Sequence, residues 1–144
     1  VNALIQRGYA RHYKADSDFD FADYNSAVKV NPALYSEPNM ICVFYDTRRD
    51  SPDYVIENCN KAISAKPSFS LFYYKRANAY KEKQDYEQAI TDYGKAIELY
   101  QNFYSSYQNR ASVYEKLGLK NLADLDRKKA KALENNIKIN AQLN

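Results

Sequence analysis

Residues 78–99 read NAYKEKQDYEQAITDYGKAIEL, and the fold is decided by what lies 34 positions to either side of them. A shift of 34 superimposes Tyr73 on Tyr107, Arg76 on Arg110, Ala77 on Ala111 and Tyr80 on Tyr114. The register continues through Ala89 on Ala123, Asp92 on Asp126, Lys95 on Lys129, Ala96 on Ala130 and Leu99 on Leu133. Upstream, Val55, Ile56, Lys61, Ala62 and Ile63 fall on Ala89, Ile90, Lys95, Ala96 and Ile97 at the same spacing. Ala27, Val28 and Pro32 precede Ala62, Ile63 and Pro67 by 35, so one extra residue separates those two units. A period of 34 is the signature of stacked helix-turn-helix units.

The pairing of small and large residues explains why such units pack. Ala77 facing Ala89, and Ala111 facing Ala123, let two helix axes approach closely while tyrosines fill the adjoining gaps. One helix pair cannot bury its own apolar face, so about three stacked units are needed, with polar caps at the ends. Eight helices are expected, near 2–14, 18–30, 35–48, 52–65, 69–83, 86–99, 103–116 and 120–135. Ser51 before Pro52 reads as an N-cap followed by a proline in the first turn.

These units resemble tetratricopeptide repeats. Tyr73, Ala77, Tyr80, Ala89, Tyr93 and Ala96 stand at the family's positions 4, 8, 11, 20, 24 and 27 of the unit 70–103. Unit 104–137 repeats the pattern with Tyr107, Ala111, Tyr114, Gly118, Ala123 and Ala130. Units 1–34 and 35–69 diverge: the first keeps Gly8, Tyr24, Ala27 and Pro32 but carries Arg11 and Asp20 where an aromatic and a small residue are usual. The second has Ile41, Cys42 and Tyr45, then Val55, Cys59, Ala62 and Pro67, with the extra residue in the DSPD turn. The resemblance implies a single domain over 1–144, an all-α, right-handed α-solenoid of about four repeats, with the tail 138–144 as a short C-terminal cap.

Composition narrows the chemistry. In 144 residues, 21 Lys and Arg oppose 18 Asp and Glu, and a net +3 predicts no dominant polyanionic partner. The last stretch, 110–144, is more basic, centred on Arg127, Lys128, Lys129 and Lys131, and reads as a solvated helix face ahead of a nucleic-acid surface. The longest uncharged apolar run, Met40–Tyr45, is six residues, far short of a membrane span. Catalysis, a metal site and a cofactor are not expected. His12 is the only histidine, the glycines Gly8, Gly94 and Gly118 are isolated, and no HExxH, CxxC or GxSxG spacing occurs. Cys42 and Cys59, 17 apart, are expected as reduced thiols inert in the core. With no secretory signal at the Val1 start and no disulfide framework, a cytoplasmic location is the expectation.

The resemblance places function on the inner groove lined by the first helix of each unit. Carried over by position, the expected groove residues are Ile5, Tyr9, Tyr13, Met40, Val43, Leu71, Tyr74, Lys75, Asn78, Asn109 and Ser112. The N-terminal part is apolar and aromatic, the C-terminal part rich in amides. A peptide segment of a partner protein would lie on the aromatics, with Asn78 and Asn109 bonding its backbone. Family members that clamp the acidic C-terminal tail of heat-shock chaperones use Lys and Asn, then Asn, then Lys and Arg in three successive units. Neither the first three units nor the last three supply that set, so such a tail is not an expected ligand. The alternative role is self-assembly through apolar ends, near Leu4, Ile5 and Leu143.

Overall fold

The computed structural model describes residue 29, residues 37–43 and residues 50–142. Within them lie six helices and no strand: α1 Glu37–Val43, α2 Pro52–Ala65, α3 Ser70–Glu82, α4 Tyr86–Leu99, α5 Tyr104–Lys116 and α6 Lys120–Gln142. The helices expected at 2–14 and 18–30 lie outside the described residues, so the described count is six where the sequence reading gave eight. From residue 52 to 116 the observed bounds agree with expectation to within one residue. The last helix differs, since it continues to Gln142 where an end near 135 was expected.

Local chemistry sets the helix ends. Ser51 is extended and its side chain accepts from the Tyr54 amide, while Pro52 occupies the first turn, where a missing N–H is harmless. Asp85 caps α4 by accepting from the Gln88 amide. α3 and α5 end alike, because Gln84 and Gly118, 34 apart, both take the left-handed conformation, with φ of 61° and 73°. At both ends a six-residue bond closes the turn: the Asp85 amide donates to the Tyr80 carbonyl and the Leu119 amide to the Tyr114 carbonyl, each at 2.9 Å. Glycine takes that conformation at no steric cost; glutamine does not.

Every helix packs on the next along the chain, and the odd-numbered helices α1, α3 and α5 also meet one another in order. Neighbour-on-neighbour stacking with odd helices in mutual contact is the arrangement of a solenoid of helix pairs, with α1, α3 and α5 on its inner side. Ala77 and Ala89 are fully buried with Tyr93, as the close-approach reading required, and Val113 of α5 joins the same cluster. Between units, Phe69 and Phe103 are buried just ahead of α3 and α5, and the Tyr73 hydroxyl donates to the Pro67 carbonyl at 2.9 Å.

The helix pairs are held together in two different ways. In the units of α3–α4 and α5–α6 a half-buried arginine makes two bonds to a buried aspartate: Arg76 to Asp92 at 2.6 and 2.7 Å, Arg110 to Asp126 at 2.7 and 2.8 Å. Both aspartate side chains are only 5% exposed. In the unit of α1–α2 the link is covalent, a Cys42–Cys59 disulfide with a Cα–Cα distance of 4.8 Å. This corrects the expectation of reduced thiols. In the repeat register Cys42 stands where Ala77 stands and Cys59 where Tyr93 stands, and those two residues share one buried cluster. Two cysteines at a close-packed helix crossing come within bonding reach, which a 17-residue separation without a CxxC motif does not reveal. The cytoplasmic expectation loses its cysteine argument, since disulfides persist mainly in oxidising compartments.

Candidate peptide-binding groove

The inner side of α3 and α5 carries a polar cluster between two helices of successive units. Tyr74, Asn78 and Lys81 are spaced to lie along one face of α3, and Asn109 sits opposite on α5. The Asn109 Nδ2 group donates to the Tyr74 hydroxyl at 3.0 Å and to Asn78 Oδ1 at 3.2 Å. Tyr93, reaching from α4, donates its hydroxyl to the same Asn78 oxygen at 2.6 Å. Lys81 Nζ donates to Asn109 Oδ1 at 3.3 Å. Burial pushes the Tyr93 phenol well above its ordinary range, with the neighbouring Tyr74 adding to the effect, so Tyr93 remains a donor. The Lys81 ammonium is pulled below its usual pKa by burial, and Glu82 only partly opposes this.

Counting donors and acceptors shows what the cluster has left to offer. Both Nδ2 protons of Asn109 and both acceptor sites of Asn78 Oδ1 are used. Asn78 retains its two amide protons and Lys81 two ammonium protons, none of which meets an acceptor among the described residues. The surplus is in donors, so an incoming group must bring acceptors. Behind the cluster the Tyr74 ring packs against Tyr93 and Phe103, with centroids 6.0 and 4.8 Å away, which holds the hydroxyl in place.

The other expected groove residues are distributed unevenly. Ile5, Tyr9 and Tyr13 lie outside the described residues. Met40 falls within α1. Val43 is 1% exposed inside the apolar cluster of Cys42, Val55 and Phe72, so it offers no surface to a ligand. Leu71 is half-buried against the two clusters on either side of it. Lys75 and Ser112 are half-buried on α3 and α5. The structure thus brings Tyr74, Asn78 and Asn109 together. It also adds Tyr93, which the sequence reading did not place in the site, and it draws in Lys81, which position alone already assigns to the inner face of the unit 70–103. Tyr93 was hidden because its repeat position reads as core, and its hydroxyl partner is visible only once α4 is docked.

Among the described residues no group of three histidine, cysteine, aspartate or glutamate side chains could hold a metal ion. No helix among them is long and apolar enough to cross a membrane. Of the basic stretch, Arg127 is engaged by Glu115 and Asp124, and Lys138 by Glu134.

The profile of the tetratricopeptide repeat matches residues 70–103, the stretch from which the 34-residue register was read. No curated protein matches the sequence. Among solved structures, the chain is similar to the second TPR of Spaghetti (RPAP3) bound to the HSP90 peptide SRMEEVD, at 21% identity over 92% of this chain and 99% of that one, with a TM-score of 0.55. It is similar as well to MamA, at 23% identity over 90% of this chain and 95% of that one, with a TM-score of 0.60. A second MamA structure gives 21% identity, 93% and 91% coverage and a TM-score of 0.58. The tetratricopeptide repeat is thus recognised at residues 70–103, and the fold is shared with these structures over at least 90% of the chain.

Proposed function

We propose that this chain is a non-enzymatic interaction scaffold that holds a peptide segment of a partner protein in the groove formed by α1, α3 and α5. The observation that carries this reading is the donor surplus of the Tyr74–Asn78–Lys81–Asn109 cluster. An extended peptide supplies one carbonyl acceptor per residue, and Asn78 with Lys81 can bond successive ones while Asn109 keeps both in register. The cluster is assembled before any ligand arrives, so little ordering is required on binding. We place it within a four-unit right-handed array, units 1–34, 35–69, 70–103 and 104–137, with Ile5, Tyr9, Tyr13 and Met40 extending the groove and Leu71, Lys75 and Ser112 at its edges.

An acidic chaperone tail is not the ligand we propose, although a similar fold carries one. A register beginning at unit 70–103 supplies the two asparagines of that clamp, Asn78 and Asn109, but Tyr74 replaces its first lysine. The test is a displayed library of random peptides panned on the whole chain, with hits measured by titration calorimetry against wild type and Asn78→Ala. Hits that weaken tenfold or more on Asn78→Ala, about 1.4 kcal/mol, support the groove. Equal affinity for both proteins refutes it.

A further inference from the structure

We propose that an exposed apolar stripe along α6 is a docking surface separate from the groove, and that its occupant is an acidic amphipathic helix of a partner protein. Five of the six large apolar side chains exposed among the described residues lie between 117 and 139: Leu117, Leu119, Leu122, Leu125 and Ile139, the sixth being Tyr54. Three of the five belong to one periodic pattern. Leu122, Leu125, Lys129, Ala132, Asn136 and Ile139 follow one another at alternating intervals of three and four, which keeps them on one side of α6 over about 25 Å. All six are exposed. The stripe of α6 that the array buries is a different one, Ala123, Asp126, Ala130 and Leu133. The repeat supplies an internal control. The first four positions of the exposed stripe are occupied one unit earlier by Gln88, Thr91, Lys95 and Glu98 on α4, and two units earlier by Tyr54, Glu57, Lys61 and Ser64 on α2. Apart from half-buried Lys95 these are exposed, although α3 packs on α2 and α5 on α4. The stripe therefore faces away from the surfaces by which units stack, whatever follows α6. Neither stacking nor the core requires the leucines that α6 alone of the three places there.

A seam of this spacing accepts another helix, whose side chains enter the gaps along it. Charge selects which helix. Lys129 stands within the seam, Lys128 at its border and Lys131 close by, and among the described residues none of the three makes an ion pair, whereas Arg127 and Lys138 are neutralised by Glu115, Asp124 and Glu134. The seam and its open border, Asn121, Lys128 and Asn135, contain no acidic side chain. On the closed border Asp126 is already held by Arg110. A second copy fits badly: packed parallel it would set Lys129 against Lys129, and packed antiparallel with Leu122 against Ile139 it would gather Lys128, Lys129 and Lys131 of both chains at the crossing. A lipid surface fits no better, since Lys129 and Asn136 interrupt the seam and would enter the apolar layer with the leucines. An acidic helix brings apolar side chains to Leu122, Leu125 and Ile139 and carboxylates to Lys128 and Lys129, and polar residues within such a seam fix the register of the pair.

Two synthetic three-heptad peptides test this, both with leucine at positions a and d, one with glutamate at e and g and the other with lysine. Like charges keep each peptide from pairing with itself at pH 7. Each is labelled and titrated by fluorescence anisotropy against the whole chain. The glutamate peptide is expected to bind at least about tenfold more tightly than the lysine peptide, and to weaken about tenfold or more on Leu122→Ser with Leu125→Ser. Lys128→Glu with Lys129→Glu is expected to reverse the preference. Both double variants change exposed positions, and circular dichroism checks their helicity; if the serine pair does not fold, the glutamate pair decides. Asn78→Ala, in the groove, is expected to leave this binding unchanged. The proposal is overturned if neither peptide binds, if the wild type does not distinguish them, if the double variants bind as the wild type does, or if Asn78→Ala releases the peptide. It is also overturned if Leu122→Ser with Leu125→Ser abolishes a wild-type dimer in sedimentation equilibrium, or flotation with vesicles of phosphatidylserine and phosphatidylcholine, since either result gives the stripe another occupant.

Discussion

Replacing Arg76 by methionine isolates the force that holds α3 to α4. Asp92 is 5% exposed at its side chain, and among the described residues its side-chain donors all come from Arg76, at 2.6 and 2.7 Å. Methionine keeps most of the aliphatic volume but leaves a carboxylate buried without a counter-charge. Removing one partner of a buried pair costs about 3–5 kcal/mol, most of it the penalty on the group left behind. A chain of this length has a stability on the order of 10 kcal/mol, so Arg76→Met stays folded at 25 °C and the loss is measurable by urea unfolding followed by circular dichroism. Removing both charges, in Arg76→Met with Asp92→Leu, is expected to return the stability to within about 1.5 kcal/mol of wild type. Arg76 also donates to Asn60 of α2 at 2.6 Å, whereas the equivalent position 34 further on is Gly94, which offers Arg110 no side-chain acceptor. Arg76→Met is therefore expected to cost about 1 kcal/mol more than Arg110→Met. The reasoning fails if the Arg76/Asp92 double variant loses the sum of its two single losses, because the pair would then be uncoupled.

Three further outcomes follow from the same structure. The raised Tyr93 pKa means that the unfolded chain loses its phenol proton first as pH passes 10; the unfolded state then binds fewer protons than the native one, so stability falls with rising pH, and Tyr93→Phe should flatten that slope in alkaline urea melts. Gln84→Gly should raise stability by about 1 kcal/mol and Gly118→Ala lower it by about as much, since both positions need positive φ, and equal and opposite shifts in urea midpoint are the expected reading. Cys42→Ala with Cys59→Ala should lower stability by about 3 kcal/mol through release of the cross-linked loop in the unfolded state, and alkylation without reductant should leave the wild-type mass unchanged.

Much of the fold was legible because tetratricopeptide units report themselves locally. Ala77, Tyr80, Ala89 and Ala96 recur at fixed offsets, and each unit touches only its neighbours, so the offset pattern and the packing carry the same information. The candidate site was legible in part for the same reason. Asn78 and Asn109 could be selected by position, but nothing linear says that they bond each other. Val43 misled for a complementary reason: a position that faces the groove in an average unit lies here in the core beside a disulfide. The arginine–aspartate links were visible as matches, Arg76 with Arg110 and Asp92 with Asp126, yet the 16-residue spacing within each pair has no meaning until two helices are laid antiparallel.

The sequence by itself determined the helical period, the boundaries from Ser51 to Lys116 and the small residues at the crossings, because these depend on local propensity and on contacts repeated in every unit. The tertiary structure alone decided which polar groups meet: Asn109 with Tyr74 and Asn78, Tyr93 with Asn78, Cys42 with Cys59, and the charged face of α6 with solvent. Hydrogen bonds and disulfides form only within about an ångström of their ideal separations. Whether two side chains on different helices come that close is fixed by the crossing angle and axial register of the packed pair, which no periodicity along the chain encodes.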